Sequence, residues 1–308
     1  MEENFKMLLD RVIDTLNITD LTRIKDQLNS IKGNTIFIGA GGSSVVAEFA
    51  KKVLDTKGIN TFMSARDLNY QNINLYDNIM VFSYSGKGYV LENSLHRNKN
   101  VYLLTNGNEK YNGIEIIKYD SSIEKENSFI SLASTLMPIS IIYYYYDSIN
   151  YLKTIQEIFR RVKDDIENSK FNIKKNDIYE IIGGLEYSSS IKYLETTMIE
   201  SGISIPVIHD KYDYCHGRST TSYKNNNSLI YFNNEKELDV LMLEEFKKYY
   251  MEIIKIKKYS NDYITNDYYG IINSMFLTKQ IAKSKNKDLS KVEHSPLVYR
   301  LYKYRGEM

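Results

Sequence analysis

Apolar positions recur along this chain with two different periods. Phe5, Leu8, Leu9, Val12, Ile13 and Leu16 follow the spacing of one helix face, and Leu21, Ile24, Leu28 and Ile31 continue it, so residues 1–32 read as a helical arm. Beyond the arm, short unbroken apolar runs alternate with helical stretches. The runs are TIFIG (35–39), INTFMS (59–64), IMVFS (79–83), VYLLT (101–105) and IEIIKY (114–119). The helices expected with them run from Ser43 to Lys57, Gly88 to Arg97, Ile130 to Asp147 and Tyr151 to Glu167. A polar stretch, NSKFNIKKND (168–177), interrupts the pattern and is the best domain boundary. The alternation then resumes with IYEII (178–182), a helix from Ser188 to Ser201, ISIPVI (203–208), SLIYF (228–232), a helix over 235–250, MEIIKIK (251–257) and a helix from Tyr268 to Lys283. Continuous apolar strands separated by helices predict parallel sheet covered on both faces. The tail, 286–308, has mixed charge and aromatics without a clear period and is expected to strap over the domains or a partner.

The two halves repeat each other. Ile38, Gly39, Ser44, Gly58 and Ile59 are matched 144 residues later by Ile182, Gly183, Ser188, Gly202 and Ile203. Each copy reads as strand, Gly/Ser turn, amphipathic helix, glycine stop and second strand, which is one βαβ unit made twice. The expectation is two similar α/β domains, 33–167 and 178–285, joined by the linker 168–177 and each large enough for its own core. In such units ligands bind at the carboxyl ends of the strands.

Composition narrows the partners. Lys+Arg 40 against Asp+Glu 39 leaves a formal charge of +1, and no broad basic excess favours nucleic acid or an anionic membrane. No run approaches the ~20 apolar residues of a membrane span, and MEENFKMLLDRVIDTL lacks a signal-peptide core, so a cytoplasmic setting is expected. The single cysteine, Cys215, excludes an internal disulfide framework and a cysteine-rich metal site and reads as a small packing residue. His96, His209 and His294 show no metal spacing, and neither a metal nor an organic cofactor is expected.

Candidate chemistry lies at strand ends. GAGGSS (39–44) opens a helix, and Gly41, Gly42, Ser43 and Ser44 either cradle an anion with backbone N–H groups or form an ordinary capped turn. SYSGKG (83–88) offers a second cradle from Ser83, Ser85, Gly86, Lys87 and Gly88. TNG (105–107) reads as a simple turn. Glu126 and Ser128 stand at the start of the long helix, as a cap or as ligand groups. In the second half, YDYCHGRS presents His216 beside Arg218, whose guanidinium suits a bidentate anion contact, and Glu200 taken alone is a helix-end charge near Gly202.

Together these motifs resemble the sugar isomerase (SIS) domain family over roughly residues 33–285. The tandem copy is similar to the isomerase half of glucosamine-6-phosphate synthase and to fructosamine-6-phosphate deglycases. The resemblance implies an α/β chain of two tandem flavodoxin-like domains, each a three-layer αβα sandwich around a parallel sheet, and a homodimer. It maps the family's first Gly/Ser turn onto Gly41, Gly42, Ser43 and Ser44, and its phosphate-gripping SxSGxT turn onto Ser83, Ser85, Gly86 and Gly88. Gly88 replaces the usual threonine, and Lys87 is the compensating charge at hand. The family's acidic helix start maps onto Glu126, Ser128 and Ser131 or Ser134. The synthase's glutamate, sixteen residues before a His-Gly pair, maps onto Glu200 and His216-Gly217. In the family the glutamate shuttles a proton between two carbons of the open-chain sugar, and the histidine, reaching over from the neighbouring subunit, opens the ring. Both roles suit the groups: a partly buried carboxylate is a competent carbon base, and an imidazole titrates near neutrality. A Schiff-base lysine of the synthase has no assigned match, although Lys291 and Lys303 both lie in the tail. With a helix directly after Met1 there is no glutaminase part, and ammonia from glutamine is not expected. The implied function is an isomerase or deglycase acting on a sugar phosphate or related anionic sugar. The alternative is a non-catalytic sugar-phosphate sensor. Leu185 and Tyr187 stand where the first copy has Gly41 and Ser43, so the second copy's cradle is expected to be closed.

Overall fold

The computed structural model describes residues 2–63, 72–88, 99–121, 130–168, 177–222 and 227–291, with Leu68, Leu91, Glu92, Ser94 and Glu126. Most of the helix expected from Gly88 to Arg97, most of the linker 168–177, Ser128 and Lys303 fall outside the described residues.

The arm forms three helices, α1 (Glu2–Lys6), α2 (Leu8–Ile18) and α3 (Leu21–Ser30). Strands β1 (Thr35–Gly39), β2 (Thr61–Met63), β3 (Asn78–Phe82), β4 (Asn100–Thr105) and β5 (Ile114–Lys118) make a parallel sheet in the order β2-β1-β3-β4-β5. That is the flavodoxin-like order. Strands β6 (Ile178–Gly183), β7 (Ile205–Asp210), β8 (Ser228–Asn233) and β9 (Glu252–Lys257) repeat it as β7-β6-β8-β9, with no fifth strand among the described residues.

Helices α4 (Gly42–Thr56), α5 (Ala133–Tyr146), α7 (Ser188–Glu200) and α9 (Tyr263–Ser284) lie between the sheets, with α6 (Tyr151–Asn168) beside α9. A further helix, α8 (Glu237–Phe246), covers the outer face of the second sheet. Of the middle-layer helices, α5 is apolar nearly all round and α9 is buried along most of its length, as helices enclosed by protein must be. One continuous core joins Phe37 and Met80 of the first sheet to Tyr179, Ile181 and Ile230 of the second, through Phe49, Leu136, Leu194 and Ile271. Separate clusters lie only on the outer faces, around Ile38 and Val81 and around Ile182 and Tyr231. Across the middle layer Tyr143 stacks on Tyr268 at 4.8 Å, and Ser140 and Tyr268 share a hydrogen bond of 2.8 Å. Such a ring pair contributes about 1 kcal/mol beyond its buried area.

The internal repeat reaches the backbone bonds. Ile59 N–H closes onto Leu54 O at 3.1 Å, and Ile203 N–H onto Met198 O at 3.2 Å, each following a glycine with positive φ. These N–H groups finish a helix and cannot start a strand. The second strands therefore begin two residues later than their apolar runs, at Thr61 and Ile205, and not at 59 and 203. Helix α9 begins at Tyr263 and not at Tyr268, because the Asp262 carboxylate caps it, accepting from Thr265 N–H at 2.8 Å. Helices α5 and α8 are shorter than expected, and residues 211–222 coil into short helical turns.

Candidate functional site

The site starts at Gly41, the cap of α4, whose φ of 54° and ψ of −131° suit only glycine. Ser43 and Ser44 N–H groups return to Ala40 O and Gly41 O at 3.1 and 2.9 Å, and Ser44 Oγ donates to Gly41 O at 2.7 Å. Gly42 packs hard against the start of α5; a Cβ there would stand 2.3 Å from Thr135 Oγ1. Ser43 keeps its place at the crest. With Ser83, Tyr84 and Ser134 it lines a cavity of about 10 Å³, space for one water.

The second turn is clamped from behind. Gly86 has a φ of 68°, and Ser83 Oγ donates to Lys87 O at 3.1 Å. Thr105 Oγ1 donates to Tyr84 O at 3.1 Å and accepts from Gly107 N–H at 2.8 Å. A Cβ on Gly107 would stand 2.2 Å from Ser85 O. Thr105-Asn106-Gly107, read from sequence as a simple turn, is thus the support on which the serine turn rests. The close approach at Gly107 is its cause, and one glycine in a turn motif does not disclose it.

Glu126 caps α5. Its carboxylate accepts the N–H groups of Leu132, Ala133 and Ser134 at 3.1, 2.9 and 3.1 Å and pairs with Arg11 of the arm at 3.4 Å. Capping accounts for the three backbone bonds, and the Arg11 pair ties the cap to the arm.

Glu200 ends α7, and its Oε1 lies 3.4 Å from where a side-chain carbon on Gly41 would stand. At the other end of the same helix, Ser188 Oγ donates to Glu48 Oε1 of α4 at 2.7 Å. Helices α4 and α7 therefore run antiparallel, and the start of one meets the end of the other. Beneath the crest lies the buried Tyr193, its hydroxyl donating to Ser131 O at 3.2 Å. Burial pushes its phenol well above the ordinary value, and the charges of Glu126 and Glu200 add to that. The Tyr193 hydroxyl thus stays a donor between two carboxylates. Sequence reasoning passed over it, since a helical tyrosine on an apolar face reads as core.

Among solved structures the chain is similar to tagatose-6-phosphate ketose/aldose isomerase from Escherichia coli, with a TM-score of 0.72 and 12% identity over 96% of each chain. It is similar also to glucosamine-6-phosphate deaminase from Thermotoga maritima, with a TM-score of 0.71 and 17% identity over 93% of this chain and 97% of that one. The C-terminal domain of glucosamine-fructose-6-phosphate aminotransferase from Francisella tularensis gives a TM-score of 0.70 and 13% identity over 94% of this chain and 95% of that one. The chain has the fold of the phosphosugar isomerases. No family model and no curated protein sequence matches it.

Within this phosphosugar-isomerase fold the remaining candidate residues are scattered. The Lys87 ammonium pairs with Glu109 at 2.7 Å, which also raises its pKa, so its charge is spent at the rim. Gly88 stands in open space with a φ of 117°, unlike the threonine of the family turn. His216 is exposed beyond the carboxyl end of β7, and Arg218 pairs there with Asp213 at 3.4 Å. Glu200 lies at the far end of α7 from that edge, a helix length of about 19 Å away. One chain does not bring these two together. Cys215 is exposed, with Sγ 3.9 Å from Met242 Sδ. Lys291 is exposed after α9. In the second copy Tyr187 is buried against Phe232, ring centroids 5.0 Å apart, and fills the place of the first turn. The expected closure is limited to that side chain: Gly183, Gly184, Leu185 and Ser188 of the same turn line a cavity of about 270 Å³ with Lys192 and His209, and beyond β8 and β9 another of about 170 Å³ stays open. Among the described residues no three His, Cys, Asp or Glu side chains gather to hold a metal ion, and no helix is long and apolar enough to cross a membrane.

Proposed function

We propose that the chain is a sugar-phosphate isomerase, or a deglycase of the same proton-transfer type, with Glu200 as the carbon base. The observation that carries this reading is the meeting of Glu200 with the Gly41 turn. It sets a carboxylate beside the Gly/Ser crest, next to the backbone groups best suited to an anionic sugar. The serine turn at 83–86, with Ser43, would hold the phosphate of an open-chain sugar. Glu200 would then face the carbon beside the carbonyl. It takes the proton from that carbon as the electron pair moves to form the enediolate; the hydroxyl proton passes from one oxygen to the other, and Glu200 returns its proton to the former carbonyl carbon as the carbonyl forms on the carbon that was deprotonated. His216 would act from a second copy of the chain, since its own Glu200 is out of reach, with Arg218 at the same edge for an anionic group. The arrangement asks nothing of a cofactor.

The fold relationship to phosphosugar isomerases supports a sugar-phosphate ligand. The test is Glu200→Gln against a panel of ketose and aldose 6-phosphates, following product by NMR and binding by calorimetry. Turnover should fall by about 10²–10⁴-fold, the size of a general acid–base contribution, while binding persists. Full activity in the variant overturns the assignment. The separation of Glu200 from His216 within one chain favours a second reading, a sugar-phosphate sensor; binding without conversion of any panel member would decide for it.

A further inference from the structure

The cavity beyond β8 and β9 is the counterpart, in the second half, of the phosphate-gripping crest. Strand register establishes this. Gly39 pairs with Phe82, and Phe82 with Leu104. In the second sheet Ile182 pairs with Tyr231, which sets Gly183 beside Phe232, and Phe232 pairs with Ile256. Since Gly39 and Gly183 are equivalent in the repeat, so are Phe82 and Phe232, and Leu104 and Ile256. Two residues further on, Asn234 takes the place of Tyr84, and Lys258 that of Asn106. Lys236 takes the place of Gly86, the glycine of the serine turn. The second half has thus exchanged a glycine and an asparagine for two lysines at the same edge, with Asn233 and Glu235 in the places of Ser83 and Ser85.

Lys236 and Lys258 both line the cavity, with Asn234, Ser260 and Asn261. Neither lysine is in an ion pair among the described residues. The one carboxylate in the lining, Glu186, already accepts from the Asn234 amide. The volume of about 170 Å³ has room for about ten waters, against one beneath the first crest. Every wall side chain carries a hydrogen-bonding or charged end, Tyr263 through its phenol, so the site suits a hydrophilic occupant, and two lysines in the lining favour an anion.

We propose that this cavity is a second binding site, for a small phosphorylated sugar or polyol, with Lys236 and Lys258 on the phosphate and the amide and hydroxyl groups on the carbon chain. It stands apart from whatever chemistry Glu200 performs. The test is calorimetric titration of the whole chain with fructose 6-phosphate, inorganic phosphate and fructose, comparing wild type, Lys236→Gln/Lys258→Gln and Ser83→Ala/Ser85→Ala. Wild type should take two equivalents of fructose 6-phosphate per chain and none of fructose. The lysine variant should lose one equivalent, or weaken it at least tenfold, and Lys236→Arg/Lys258→Arg should keep it. The serine variant should lose the other. Unchanged stoichiometry and affinity in the lysine variant overturn the second site. Unchanged binding in the serine variant beside a loss in the lysine variant overturns the first-crest phosphate site and leaves the second standing. Equal response to phosphate and fructose 6-phosphate assigns the site to the bare anion and overturns the sugar part.

Discussion

Glu180 offers the sharpest quantitative prediction. It lies on the central strand of the second sheet, is 3% exposed, and accepts from Ser222 Oγ at 2.6 Å, Tyr250 Oη at 2.7 Å and Asn227 Nδ2 at 2.8 Å, with His209 Nε2 at 3.4 Å. Burial pushes this carboxyl up, yet the donors His209, Ser222, Tyr250 and Asn227 outweigh it and hold the group at about 2 against an ordinary 4.5. A carboxyl held down in the fold stabilises it fully above the unfolded value near 4.5, and that stabilisation disappears as pH falls toward 2. At 1.36 kcal/mol per pH unit the contribution at neutrality is about 3 kcal/mol. Glu180→Gln keeps the shape and removes the charge. It should cost about 3 kcal/mol at pH 7, and the gap to wild type should narrow steadily below pH 4.5. Urea unfolding followed by circular dichroism suits a chain with no tryptophan. Glu180 also ties down both ends of the segment carrying His216, through His209 before it and Ser222 after it. The variant should therefore be cut faster by protease within 211–222. A gap equal at pH 3 and pH 7, or none at pH 7, refutes the reasoning.

Three further substitutions probe the same architecture. Lys211→Met strands the Asp239 carboxylate, now paired at 2.5 Å with both side chains buried, and should cost about 3–5 kcal/mol in thermal or urea unfolding. Gly107→Ala drives a methyl group onto Ser85 O and should displace the serine turn, weakening sugar-phosphate binding at least about tenfold by calorimetry with the fold retained. Lys87→Met removes only an exposed pair with Glu109, so affinity should stay within about twofold; a larger loss would mean that the lysine turns inward on binding.

Much of this was readable before any coordinates. The repeat announced two equivalent sheets because strand, glycine stop and strand recur at one spacing. Each second strand begins late because Ile59 and Ile203 look like strand residues while their N–H groups serve the helix behind them. Apolar pattern cannot distinguish those uses. Gly41 and Gly86 were conspicuous because each holds a conformation that other residues resist. Glu126 was ambiguous because a cap and a ligand contact ask for the same residue at a helix start. Lys236 and Lys258 do not stand out in sequence, because one reads as the start of a helix and the other as the polar residue after a strand. Only strand register aligns them with the serine turn and its support.

The antiparallel packing of α4 and α7 explains why the two crests differ in more than charge. Gly41 meets Glu200 at one end of this pair, and the repeat makes Leu185 and Thr56 the equivalent residues at the other. Leu185 is 79% exposed, and Thr56 turns its hydroxyl back onto Val53 O at 2.6 Å. The counterpart of Glu200 is thus Thr56 and not a carboxylate, and the one carboxylate in the lining of the second crest, Glu186, accepts from the Asn234 amide. An occupant of the second crest would touch Glu186, whose carbonyl accepts from Lys52 at 3.3 Å, and Lys52 pairs with the buried Asp267. Asp267 in turn holds the Ser190 N–H at 3.0 Å. Helices α4, α7 and α9 are pinned through these three side chains, and the first two carry Gly41 and Glu200. A ligand at the proposed second crest would touch this chain of contacts, which ties together the helices that set the Gly41–Glu200 approach.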